Sequence, residues 1–364
     1  MLVSAKLGNE IKKVLSVEHV LPVARGTTAM WLALRVLGER QRRVLVPANV
    51  CESVIAAILA ADMEPAYVDV DPVQGLITAN TLDAAFDEQC VGLIAVHNFG
   101  TPLAMTEISD WCRKYDIFLL EDCCNAVGAT AEGRPVGSWG EAAAYSFGSG
   151  KNLDLARGGL LAFQDRYALL EAGELADLIP PWTLDSERAE KQRQRQLRQL
   201  RNAGEPVPSS VYRALFPKGD SSLFARVDDD WHDELTTGMK SLPGEIDKRN
   251  RNAAYYREFL DHEKIRHRRM IEGEACWRYT FHVPASIRNH VVRELRAQDL
   301  PVSTWYPSVD AKFGPMLGPD RLPGAYQFES TVINLFVDAT VSPSTREACC
   351  RLVQTALDTD NEDV

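Results

Sequence analysis

The sequence has no run of about 18 apolar residues that would span a bilayer, and no basic-plus-apolar leader precedes its first patterned segment. Both absences lead to the expectation of a cytoplasmic protein. Basic residues are in the minority: 40 Lys and Arg against 51 Asp and Glu leave a formal charge of -11, the wrong sign for a nucleic-acid or anionic-membrane partner. Paired C-x-x-C spacing is missing as well. The eight cysteines (Cys51, Cys90, Cys112, Cys123, Cys124, Cys276, Cys349 and Cys350) are scattered, which favours buried thiols over metal ligands or disulfides. There are no internal repeats and no low-complexity segment. What remains is ordinary globular composition, 45% apolar and 25% charged, in 364 residues. That length suits a large domain over residues 1–240 and a smaller one over 241–364.

From residue 42 onward short apolar runs alternate with amphipathic stretches: "RRVLVPA", "CESVIAAILAA", "PAYVDVD", "VGLIAVHNFG", "MTEISDWCRKY", "IFLLEDCCNAVG", "AAAYSFG" and "GGLLAF". Strands of this length separated by helical patterns predict an α/β fold of parallel βαβ units, with helices on both faces of the sheet. Ligands of such sheets sit at the carboxyl ends of the strands. The segment "SERAEKQRQRQLRQLRNA" (186–203) has Leu197 and Leu200 as its large apolar residues and reads as a mostly solvated helix. "AGEPVPSS" then reads as a loop. A long helical pattern from Trp231 links to the C-terminal domain, where "WRYTFHVPA", "PVSTWYP" and "STVINLF" are strand-like and "RNHVVRELRAQDL" and "TREACCRLVQTAL" are helical.

One lysine stands among glycines in "YSFGSGKNLDLARGG" (145–159). A Walker A loop needs a glycine where this chain has Tyr145 and a hydroxyl where it has Asn152, and a dinucleotide fingerprint needs a third glycine where it has Leu153. Neither nucleotide motif is met. Three polar clusters fall at the ends of expected strands. Gly26, Thr27 and Thr28 open an amphipathic helix whose free N–H groups make a phosphate seat, or else form a plain Thr N-cap. Asp122 ends an intensely apolar strand, and a carboxylate there requires a cationic or hydrogen-bonding partner. Ser146 and Lys151 follow the strand "AAAYSF"; Lys151 is either a surface lysine on a turn or a nucleophilic amine beside apolar surface. Taken together, a phosphate seat, a carboxylate for a pyridinium nitrogen and a lysine for a Schiff base are what pyridoxal 5'-phosphate (PLP) requires.

The order of these segments resembles the DegT/StrS group of fold-type I PLP enzymes, whose members are mostly sugar aminotransferases. The resemblance runs with gaps from about residue 20 to the C-terminus. It is carried by "EDCCNAVGA", by "YSFGSGKNLDLARGGLLAF", whose Lys151 lies 29 residues after Asp122, by "GTTAMWLAL", "VPANVCESV", "PAYVDVDP" and "VHNFGTP", and weakly by "LPVSTWYPS". It implies a large domain with a mostly parallel sheet and a smaller α+β domain. It also implies that Lys151 joins the cofactor and moves a proton, that Asp122 keeps the pyridine nitrogen protonated, and that Asn125 approaches the ring. Ser146, Gly26, Thr27 and Thr28 would hold the phosphate. His97 lies at a strand end nearby and is assigned either to substrate or to packing.

Three departures stand out. The family places a ring-stacking aromatic four positions after the proline of "VPANVC", and this chain has Cys51 there. Arg157 replaces an acidic residue before the double glycine, where it binds an acidic group of the substrate or lies on the surface. The loop by which the family reaches the neighbouring subunit's phosphate has no clear match between 205 and 230, with Lys218 or Arg226 as stand-ins. The resulting expectation is a homodimeric aminotransferase that moves an amino group from a small donor such as glutamate to a nucleotide-linked keto-sugar or related ketone. PLP-dependent elimination or decarboxylation, and a non-catalytic regulator retaining the fold, are the competing readings.

Overall fold

A computed structural model of the chain describes residues 3–202, 207–227 and 231–359. Apolar segments that are buried along nearly their whole length form the centre of a seven-stranded sheet. These are β2 (Arg43–Pro47), β3 (Glu64–Val68), β4 (Cys90–Val96), β5 (Phe118–Asp122) and β8 (Ala142–Ser146), after β1 (His19–Val23) and before β9 (Gly159–Phe163). Their order is β1-β9-β8-β5-β4-β2-β3. The five strands β8, β5, β4, β2 and β3 are mutually parallel. Their continuous burial is what a sheet covered on both faces demands. The helices Glu52–Ala60, Ala79–Ala85 and Met105–Lys114 supply the crossovers between β2, β3, β4 and β5.

The expectation of parallel units fails at one strand. β9 is antiparallel to both β8 and β1. No crossover helix separates β8 from β9, so the chain turns back through residues 147–158 instead of passing over the sheet. That return loop carries Lys151. Between β5 and β8 lies a small hairpin, β6 (Thr130–Ala131) with β7 (Arg134–Pro135).

A second, antiparallel sheet is built from β10 (Arg266–His267), β11 (Arg278–His282), β12 (Val302–Ser303) and β13 (Val332–Phe336), in the order β10-β11-β13-β12. Of "PVSTWYP" only two residues are strand, and the remainder leaves the sheet as a loop. The helix Trp231–Phe259 serves both cores. Trp231, Leu235, Met239 and Leu242 enter the first, and Ala253 and Tyr256 enter the second, with the helices Ala285–Ala297 and Pro343–Thr359 covering the smaller sheet.

The helix Leu184–Asn202 is mostly exposed, as its composition predicts, but one stripe of it is anchored. Arg193, Ser186 and Leu197 are buried. Arg193 donates to Asp220 and Ser222 at 2.8 Å each and pairs with Glu190, which also accepts from Arg25 at 2.8 Å. Burial works against the Glu190 carboxylate, but the guanidiniums of Arg25 and Arg193 and the Gln194 amide hold its pKa below the ordinary value. An ion network therefore does the docking that apolar residues usually do. No helix among the described residues is long and apolar enough to cross a membrane.

Candidate active site

The carboxyl ends of the parallel strands bring the sequence-selected residues together. Asp122 closes β5 and is 5% exposed. Its Oδ1 accepts the backbone N–H of Cys124 at 2.9 Å, and no basic side chain among the described residues pairs with it. Three residues later the same turn presents Asn125, also buried, whose Oδ1 accepts from Lys151 Nζ at 2.7 Å. The turn between β5 and the hairpin thus meets the return loop between β8 and β9. The turn that begins at a buried carboxylate without a cationic partner among the described residues also carries the amide that tethers the amine.

Next to them opens the helix Gly26–Leu37. Its N-cap, Arg25, makes no side-chain capping bond, which leaves the first-turn N–H groups without a side-chain acceptor. Gly26 is required by packing: a Cβ there would lie 2.7 Å from Cys124 Sγ and 3.0 Å from Ser146 Cβ. The seat therefore abuts Ser146, at the end of β8, and the residue that follows Cys123. Thr27 is buried at its rim. Thr28 is committed elsewhere, because its hydroxyl donates to Leu223 O at 2.9 Å and accepts from Ala225 N at 3.3 Å. Of the expected phosphate groups, Thr28 offers its backbone but not its hydroxyl.

The segment without a match to the family's loop packs on its own chain. Ala24 N donates to Ala225 O at 3.1 Å, so residues 222–225 fold onto the first turn of their own chain. Lys218 is held by Asp62, and Arg226 stands 3.8 Å from Asp177.

His97 is fully buried. Leu103 N donates to its Nδ1 at 3.2 Å, which leaves Nε2–H to face Glu121 at 3.2 Å. Glu121 in turn accepts from the backbone N–H groups of Gly137, Trp139 and Gly140. Both ring nitrogens are thus used by the protein, and His97 braces the sheet end; it offers no free nitrogen to a substrate. Arg157 is half-buried, follows Ala156 in a left-handed conformation at φ 61°, and feels the charge of Glu187. It is not brought against Lys151 by any bond among the described residues.

Cys51 packs against a cluster of Phe99, Trp277, Tyr306 and Phe328. Burial raises the pKa of its thiol, and the charge of Glu52 adds to the shift. Sequence reasoning missed what the smaller sheet delivers here. Trp277, just before β11, donates from Nε1 to Gly150 O at 2.6 Å, and Lys151 Nζ lies 5.6 Å from its ring centroid. Arg249 Nη2 donates to Lys151 O at 2.9 Å and Asn152 Nδ2 to Ala275 O at 2.8 Å, so the lysine loop is clamped from the small-sheet side. Tyr306 accepts from Asn125 Nδ2 at 3.1 Å. The signal available was weak: an aromatic pair in "TWYPS" and another in "CWRY", both readable as core.

The architecture is that of the fold-type I PLP enzymes, and the solved structures it resembles agree. The aminotransferase TlmJ from Streptoalloteichus hindustanus superimposes with a TM-score of 0.81 at 22% identity, over 98% of this chain and 90% of that one. Residues 4–175 match the model of the DegT/DnrJ/EryC1/StrS aminotransferase family. Among characterised relatives, the UDP-N-acetyl-3-dehydro-alpha-D-glucosamine 3-aminotransferase of Acidithiobacillus ferrooxidans is 28% identical over 82% of this chain and 73% of its own length. GDP-perosamine synthase of Vibrio cholerae is 26% identical over 42% of each chain.

Proposed function

We propose that the protein is a PLP-dependent aminotransferase that moves an amino group from a donor such as glutamate to a keto-sugar, with a nucleotide-linked sugar as the acceptor class. One observation carries the reading: the Lys151 amine and the unpaired Asp122 carboxylate converge beside the uncapped N-terminus of Gly26–Leu37. These residues fit the cofactor's three demands. Asp122 would face the ring nitrogen and gain the cation its burial calls for. The first-turn N–H groups of Gly26, Thr27 and Thr28, with the hydroxyls of Thr27 and Ser146, would hold the phosphate. Lys151 would take the aldehyde, and Asn125 would keep the amine aimed at it. When bound, PLP supplies an electron sink for bonds at the substrate's amino-bearing carbon. Lys151, once released, is the base placed to carry a proton at that carbon.

The names of the relatives support the sugar-nucleotide acceptor. Cys51 would lie against the ring in place of an aromatic, and Arg157 remains a candidate for an acidic substrate group. A homodimer in the cytoplasm, with a large unit to residue 240 and a small one from 241, completes the reading. The test is transfer of isotopically labelled nitrogen from glutamate to a panel of UDP- and GDP-linked keto-sugars. Label appearing in an amino-sugar supports the proposal; PLP-dependent loss of glutamate's carboxylate without transfer would replace it by decarboxylation.

A further inference from the structure

Asn125 has two ways to sit. Lys151 can only donate, so the amide must turn its oxygen to the amine and its NH₂ to an acceptor. Among the described residues that acceptor is the phenol oxygen of Tyr306, 3.1 Å from Asn125 Nδ2, while Asn125 Oδ1 receives Lys151 Nζ at 2.7 Å. Without the phenol, Asn125 Nδ2 has no other acceptor among the described residues, and the amide loses the bond that holds it in place beside the amine.

Tyr306 is itself held rigidly. It is 6% exposed, and its ring lies within 8° of the plane of Trp277 and 14° of that of Trp305, at centroid distances of 6.0 and 5.6 Å. Phe99 adds a third ring at 5.9 Å. Trp277 is bonded to Gly150 O, the residue before Lys151. A few residues on, Val309 N donates to Ala48 O at 2.8 Å, which ties the segment back to the loop that carries Cys51. An oxygen on the small-sheet side is therefore placed with little freedom at the end of a three-residue chain to the amine.

We propose that Tyr306 is a positioning residue for Lys151 and acts through Asn125. Its phenol oxygen anchors the amide in place, and the amide oxygen then aims the amine at the incoming aldehyde. The inference rests on the reading of Lys151 as the group that takes PLP. It gives residues more than 150 positions from that lysine a part in preparing the site.

The test follows attachment of PLP to cofactor-free protein by the rise of its visible band, with borohydride reduction and mass mapping to locate the adduct on Lys151. Tyr306→Phe keeps the stacked ring and removes one hydrogen-bonding oxygen. It is expected to slow attachment about fivefold, the worth of about one hydrogen bond, with the thermal midpoint lowered by no more than about 3 °C. Asn125→Ala is expected to slow it at least as much, and the double variant to be no slower than Asn125→Ala alone. An unchanged rate in Tyr306→Phe would overturn the inference, as would a further loss in the double variant, because the ring would then act without the amide. If the wild type itself forms no adduct at Lys151, the cofactor reading fails and the inference fails with it.

Discussion

Acid should weaken this protein through one histidine that bridges its two sheets. His282, at the end of β11, is 4% exposed. Its Nε2–H donates to Val73 O at 3.0 Å, in the loop after β3, and its Nδ1 lies 2.8 Å from the hydroxyl of Thr331, which itself donates to Gln327 O. Burial disfavours the charged ring and lowers its pKa from 6.5 to about 4. The unfolded chain therefore takes up a proton between those values that the folded chain refuses. Stability is intact above pH 6.5 and falls as pH drops toward 4. At 1.36 kcal/mol per unit this amounts to about 3 kcal/mol, of which about 2 kcal/mol is gone by pH 5. His282→Gln keeps an N–H for Val73 O and cannot titrate. Urea unfolding of both proteins at pH 7.5 and pH 5 should show the wild type losing about 2 kcal/mol more than the variant. Equal losses would refute the assignment of a neutral, bridging histidine.

Three further outcomes follow from the same geometry. Cys51→Phe restores a ring against the cofactor position. Stacking worth about 0.5–1.5 kcal/mol should slow PLP dissociation roughly two- to tenfold, and faster release would contradict the placement of residue 51. Gly26→Ala puts a methyl 2.7 Å from Cys124 Sγ. It should weaken PLP binding at least about tenfold and lower stability by about 1–3 kcal/mol; a variant that binds normally would show that the first turn is not the phosphate seat. Arg193→Ala leaves Asp220 without its cation and Glu190 with Arg25 alone, and should destabilise by about 2–3 kcal/mol, less than a fully uncompensated buried charge, with early proteolysis in 184–202; a loss under about 1 kcal/mol would show that this network does not anchor the helix.

Some of this was legible in the chain and some was not, for physical reasons. Asp122 stood out because it closes a strand otherwise too apolar to tolerate it, and Lys151 because it stands among glycines a few residues after another apolar strand. The parallel core was legible because helical periodicity separates β2, β3, β4 and β5. β9 was misread because "GGLLAF" has the same apolar texture as its neighbours, and strand direction is set by the loop before it. The hydroxyl of Thr28 was assigned to phosphate because a sequence cannot show that Leu223 and Ala225, nearly 200 residues away, consume it. Arg193 was hidden for a similar reason. A helix poor in large apolar residues reads as solvated until its partners on the segment around Asp220 and Ser222 are seen. Trp277 and Tyr306 look like core aromatics in sequence, and only tertiary structure brings them against Lys151.

The central claim is that Lys151 is the amine that takes PLP, and one spectrum tests it most directly. Purified protein mixed with PLP should develop a visible band that Lys151→Ala lacks, and reduction should leave the adduct on the peptide containing residue 151. A band of equal strength in Lys151→Ala, or an adduct on another lysine, would contradict the account.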